Sequence, residues 1–262
     1  MDCSASSFGL PGPSRSLGLS FVQASGWRPG LAEGALHNEI FACSRAASGA
    51  GLALALARDA LSHAPGNAVQ EAEDRRCVLW VQDRTAIRLG GRPYRPGLPP
   101  WLQGRLIHVA ADKPEDALFA LEEGLRCRDL ACVVGELGGN PRALDFTASR
   151  RLSLAAEKHG VPLWLVRMDA ARDLSSARMR WEVRAAPSAA SPWDARAPGP
   201  PAWRATLFRA RNHPPGEWTL DDDGQSLAVR PAKPGATPAA QSGAPYPLGL
   251  AFASGARSLA AG

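Results

Sequence analysis

Between Glu39 and Val166 the chain repeats one pattern. A short unbroken apolar run is followed by a turn, then by a stretch whose apolar residues recur at helical spacing. Glu39 to Cys43, Cys77 to Val81, Leu106 to Val109, Ala131 to Val134 and Leu163 to Val166 read as strands. Ala50 to Leu61 reads as a helix of Ala and Leu. Asp112, with Pro114 and Glu115 behind it, predicts the start of a helix that places Ala117, Leu118, Leu121 and Leu125 on one face. Leu144 to His159 reads as a helix with Ala148, Leu152, Ala155 and Ala156 inward, and a long Gly/Pro loop is expected after Val81, through Pro100. Strands with no polar alternation are covered on both faces. The predicted class is therefore α/β, with a mainly parallel sheet flanked by helices.

After Val166 the grammar changes. Met179 to Val183 and Trp203 to Phe208 read as strands, and the turn His213-Pro214-Pro215-Gly216 leads into Glu217 to Leu220. This predicts a C-terminal antiparallel β-hairpin that extends the sheet. The expected organisation is a poorly ordered N-terminal arm at 1–35, an α/β domain with its hairpin at 36–221, and a disordered tail at 222–262. The tail is Ala, Gly, Pro and Ser with one apolar island, Tyr246, Leu248, Leu250 and Phe252. That island is read either as a segment that orders on a partner or as inert chain. The five cysteines are odd in number and form no CxxC pair, so they are expected to be buried thiols of a reducing cytoplasm. The most apolar uncharged run, Ala46 to Ala57, falls short of the roughly 20 residues that cross a bilayer. A cytoplasmic protein with no membrane partner is expected.

The loop between the first strand and first helix is where a phosphate cradle would lie, because backbone N–H groups at a helix start attract anions. On the frame G-x-x-x-x-G-K-[ST], Ala42 and Ala47 stand at the glycine positions, Ser48 at the lysine and Gly49 at the magnesium-binding hydroxyl. Each position lacks its chemistry. Glu136 is a carboxylate one step late for a metal-binding Asp, with no lysine or hydroxyl opposite it to aid phosphoryl transfer. The histidines show no metal-ligand spacing, and no G-x-S-x-G elbow is present. Neither a cofactor nor an enzyme is expected.

The charge is uneven. Of 30 basic residues only Lys113, Lys158 and Lys233 are lysines, and between Arg150 and Arg211 twelve basic residues face five acidic ones. Arg178, Arg180, Arg184, Arg204, Arg209 and Arg211 lie on or beside the late strands, interleaved with tryptophans. They form a candidate surface for DNA backbone or for an acidic protein. A solvated face or partner surface is favoured over direct DNA contact.

Taken together, several stretches resemble a known family. They are Leu36 to Ala42, Val78 to Gln82, Gly91 to Leu98, Pro114 to Cys127, Val133 to Leu137, Leu144 to Leu152 and Ser176 to Trp181. Trp203, Leu207, Arg209, Arg211 and Pro215 to Trp218 follow. The order of elements resembles the RecA core. The chain is similar, over about residues 34–221, to the ImuA family of small RecA-related proteins from bacterial damage-induced mutagenesis cassettes. The resemblance implies a non-catalytic accessory of translesion synthesis in the SOS response. It would work with ImuB, an inactive relative of lesion-bypass polymerases, with RecA, and indirectly with an error-prone polymerase subunit, near the nucleoid during damage. Relative to RecA, the stretches Leu137 to Ala143 and Asp169 to Ser176 are short for DNA-binding loops. Two alternatives keep the fold: a SulA-like inhibitor of cell division, and a DNA-binding RecA paralogue.

Overall fold

The apolar runs become the strands of one sheet. In a computed structural model that describes residues 36–62, 76–191, 194, 197–211 and 213–231, the first two strands are β1 (His37–Ala42) and β2 (Cys77–Asp83), joined through helix α1 (Ser48–Ser62). Helix α2 (Arg84–Gly90), strand β3 (Leu106–Ala111), helix α3 (Pro114–Arg126) and strand β4 (Leu130–Gly138) follow. Next come helix α4 (Phe146–His159) and strands β5 (Leu163–Met168), β6 (Met179–Ala185), β7 (Ala202–Ala210), β8 (Gly216–Asp222) and β9 (Leu227–Pro231).

The sheet order is β3-β2-β4-β5-β1-β6-β7-β8-β9. Every pairing from β3 to β6 is parallel, and those from β6 to β9 are antiparallel. The expected α/β class with a C-terminal antiparallel extension is borne out. Alternate residues of β2, β3, β4 and β5 serve two cores, as a two-sided sheet requires. Ile40, Val78, Trp80, Val134, Val166 and Trp181 pack with Leu52 and Leu56 of α1. Leu79, Val81, Val133, Leu163 and Leu165 pack with Leu121 and Leu125 of α3 and Leu152 of α4. The tryptophans of the late strands turn inward: Trp181 and Trp203 are buried, and Trp218 meets Trp181 edge-on at 6.0 Å.

Four expectations change. The long loop after β2 begins with a helix, α2, because the Asp83 carboxylate accepts the Ala86 N–H at 2.6 Å and Gly91 at φ 79° closes the other end. The cap position of α3 is Lys113, with no side-chain bond, while Asp112 pairs with Arg84 instead. Order does not stop at residue 221. β9 pairs with β8 and buries Leu227 against the α1 core, so an unbroken tail from 222 is wrong for 222–231. Of the thiols, Cys132 is buried, but Cys43 and Cys127 are exposed. The 1–35 arm, Cys3, and the island of Tyr246, Leu248, Leu250 and Phe252 lie outside the described residues. Among the described residues no helix is long and apolar enough to cross a membrane.

Candidate functional site

The loop at 43–47 leaves the C-terminal end of β1 and enters α1 at Ser48, at the edge of the parallel strands where ligands of open α/β sheets bind. A cavity of about 250 Å³ opens there. Its walls are the 43–47 loop, Gly49, the turn Gly90 to Pro93, and the strand residues Trp80, Gln82 and Glu136. Ala42, Ala47, Ser48 and Gly49 thus take the strand-loop-helix positions expected of them. Gly49 is pressed onto the sheet: a Cβ there would meet Val166 Cγ1 at 2.6 Å and Ala42 Cβ at 2.9 Å. Helix α1 sits too close to β1 and β5 for any side chain, a hydroxyl included, to occupy this position without a shift.

The loop already holds an anion of its own. Asp169, just past β5 and in a left-handed conformation at φ 51°, accepts the Ser44 N–H at 2.9 Å, and its own N–H donates to Ala42 O. The Ser44 hydroxyl first, and then the Ser44 N–H, hold the Asp169 carboxyl below the usual range.

Glu136 lies in the cavity floor, 4% exposed, accepting from Trp80 Nε1 at 3.1 Å and Gln82 Nε2 at 2.9 Å. Burial raises its pKa, and these two bonds only partly offset that. Gln82 Oε1 lies 2.9 Å from His108 Nε2, so a polar chain crosses β4, β2 and β3. His108 is held toward its neutral form, first by burial and then by Arg92 and Arg95. Glu136 has neutral hydrogen-bond partners only. Among the described residues no three His, Cys, Asp or Glu side chains gather to hold a metal.

The six arginines do not form one surface. Arg180 is 3% exposed, with Nε donating to Glu39 at 2.7 Å and the guanidinium over Phe41 and Phe208. Glu39 also accepts from Ser175 Oγ at 2.8 Å, and Arg167 stands 3.8 Å away, so Arg180 belongs to an interior ion cluster. Burial lowers the Arg167 pKa. Arg178 pairs with Glu157, Arg184 with Glu182, and Arg204 with Glu217. Arg209 and Arg211 are exposed at the far end of β7, their side chains without a hydrogen-bond or ion-pair partner among the described residues.

No family model matches the chain. Two curated relatives do, both described as Protein ImuA and both from Caulobacter vibrioides, one from strain NA1000 / CB15N and the other from strain ATCC 19089 / CIP 103742 / CB 15. Each is 35% identical over 156 residues, 55% of this chain and 59% of the relative. Over these residues the chain is similar to ImuA proteins. The chain spans a little over half the length of these ImuA proteins.

Beside the ImuA likeness, one cluster escapes a reading of the sequence. His37 Nδ1 lies 2.7 Å from Ser153 Oγ, which meets Ser176 Oγ at 2.6 Å, and Ser149 bonds Ser175 and Ser176. Burial lowers the His37 pKa to about 4, so the ring is neutral. The available signal was two serines four apart, Ser149 and Ser153, on the face of α4 that also carries Ala148 and Leu152 inward. The cluster ties the 169–178 segment to α4. Asn140 closes the same segment from the other side, with Oδ1 accepting the Ala171 N–H at 2.7 Å.

Proposed function

We propose that this chain is a non-catalytic accessory of damage-induced mutagenesis. Its RecA-like core docks to an ImuB-type relative of lesion-bypass polymerases, to RecA, or to both, around a nucleotide site that has lost its chemistry. The observation that carries the reading is the likeness to ImuA, which supports a role in the ImuA/ImuB mutagenesis system at the family level.

The physics of the loop is consistent with it. Triphosphate transfer draws on a lysine, a metal-holding hydroxyl and a carboxylate working against cations. In this chain Ser48 replaces the lysine, Gly49 has no room for a side chain, and Glu136 is bonded by neutral groups. The Asp169 carboxylate occupies the Ser44 amide and sets a negative charge beside the place a phosphate would take. A cavity of about 250 Å³ is also below the roughly 300–1,000 Å³ of small-molecule sites. With the ligand machinery gone, the surfaces around it serve contact with macromolecules.

The test is association with purified ImuB-type protein and with RecA, measured by sedimentation with and without magnesium-ATP. The reading predicts a complex with at least one of them in the absence of nucleotide, its affinity changing by no more than about twofold when ATP is added. Failure to bind either protein, or binding only when ATP is present, overturns it.

A further inference from the structure

A second cavity, of about 310 Å³, lies at the other end of the sheet from the loop cavity. It is lined by Arg150, Ser153, Leu154 and Glu157 of α4 and by Ser176, Arg178 and Arg211. Ser153 bonds His37, the first residue of β1, whereas the loop cavity opens at Ala42, its last. Arg178 is held by Glu157 on the groove wall, and the Arg211 N–H donates to Arg178 O at 3.2 Å, fixing the two arginines side by side. The side chains of Arg150 and Arg211 make no hydrogen bond or ion pair among the described residues. Three guanidinium groups therefore meet one carboxylate, and two of them are uncommitted.

The surroundings are apolar. Phe146, Arg150 and Leu154 follow at four-residue steps on one face of α4, with Phe146 48% and Leu154 51% exposed. Leu174, 77% exposed, precedes the Ser175 and Ser176 that bond Ser149, so it lies beside the same helix. We propose that this groove receives an acidic segment of a protein partner, with Arg150 and Arg211 clamping a carboxylate and Leu154 taking an adjacent apolar side chain. Carboxylates match the free forks, and the aliphatic side chains beside them give a neighbouring leucine-type residue somewhere to pack. A nucleic-acid strand suits the site less. Glu157 stands inside the groove against a chain of phosphates, and the arginines converge on a point instead of tracking a backbone. The occupant belongs to another molecule: residues 1–35 carry only Asp2 and Glu33, residues 232–262 carry no acid, and the acids of residues 63–75 (Glu71, Glu73 and Asp74) have alanine, not a leucine-type residue, between them to pack on Leu154.

The test uses the full chain and a short fluorescein-labelled peptide of repeated Asp-Leu-Glu, read by anisotropy. Saturable binding is expected. Arg150→Ala and Arg211→Ala should each weaken it about fivefold and the pair more than about tenfold, with Leu154→Ser also weakening it. Arg128→Ala, on the exposed α3–β4 turn, should leave it unchanged, and thermal melts should confirm that all variants are folded. An Asn-Leu-Gln peptide should not bind. No saturable binding of the acidic peptide, or binding indifferent to the double substitution, overturns the proposal. So does tighter binding of oligo-dT that the same substitutions abolish, which would make the groove a nucleic-acid site. These outcomes are read on the peptide and leave the adaptor reading to its own test.

Discussion

Gly49 is pressed against Val166 of β5 and Ala42 of β1. Because a Cβ at this position meets Val166 and Ala42 at under 3 Å, Gly49→Ser should cost about 1–3 kcal/mol in urea denaturation and confer no ATP binding, alone or with Ser48→Lys. Glu39 is the counter-charge for two buried arginines, so Glu39→Gln should cost about 3–5 kcal/mol in the same measurement. His37 sets a pH window. It is fully buried with Glu39, Glu157, Arg178 and Arg180 around it, and burial keeps it neutral down to about 4, against 6.5 for a free imidazole. As pH falls, the unfolded chain takes up this proton first. Stability should therefore drop between about pH 6.5 and 4, by about 3 kcal/mol in all, with no contribution above that range. Glu136, raised by burial, works in the opposite sense and gains stability on protonation. Comparing the urea midpoints of the wild type and His37→Gln across this range isolates the histidine, and parallel curves would refute its role. The placing of residues Ala42 to Gly49 between a strand and a helix was legible because the apolar runs on either side mark both elements. The pairing of His37 with Ser153 and of Glu39 with Arg180 was not, since both cross more than a hundred residues.

At the scale of elements, strands buried on two faces were the plainest signal, and the structure follows it in β1, β2, β4 and β5; β3 is an edge strand that leaves Ile107 46% exposed. Two elements were harder to see. α2 is short and carries one fully buried side chain, Ala86, so periodicity has little to register; Asp83 ahead of it and Gly91 behind it were the cues. β9 alternates Leu227 and Val229 with exposed residues, but it sits next to a Pro/Ala/Gly stretch whose composition masks five residues of strand. β9 is expected to matter for stability. Leu227 is buried against α1, so a chain ending at residue 226 should be about 2–3 kcal/mol less stable than one ending at 231, measured by denaturant midpoint. Equal stability would mean that β8 serves as an edge strand without help.

For the whole molecule, the sequence showed an arginine-rich half but not where its charge goes. Of the six arginines on or beside the late strands, Arg180 is interior, Arg178, Arg184 and Arg204 are matched to glutamates, and Arg211 joins Arg150 where α4 meets the start of β6 and the end of β7. The two cavities lie at opposite ends of the sheet, so loss of function at one leaves the other free to work. One end carries the 43–47 loop with Gly49 pressed against β1 and β5, and the other a basic and apolar groove. The most direct test of an accessory that acts without triphosphate is a calorimetric titration of magnesium-ATP into the full chain, followed by an assay for released phosphate. The account predicts no saturable heat and no turnover above the protein-free rate. Saturable binding with turnover that Ser48→Ala or Glu136→Gln abolishes would contradict it.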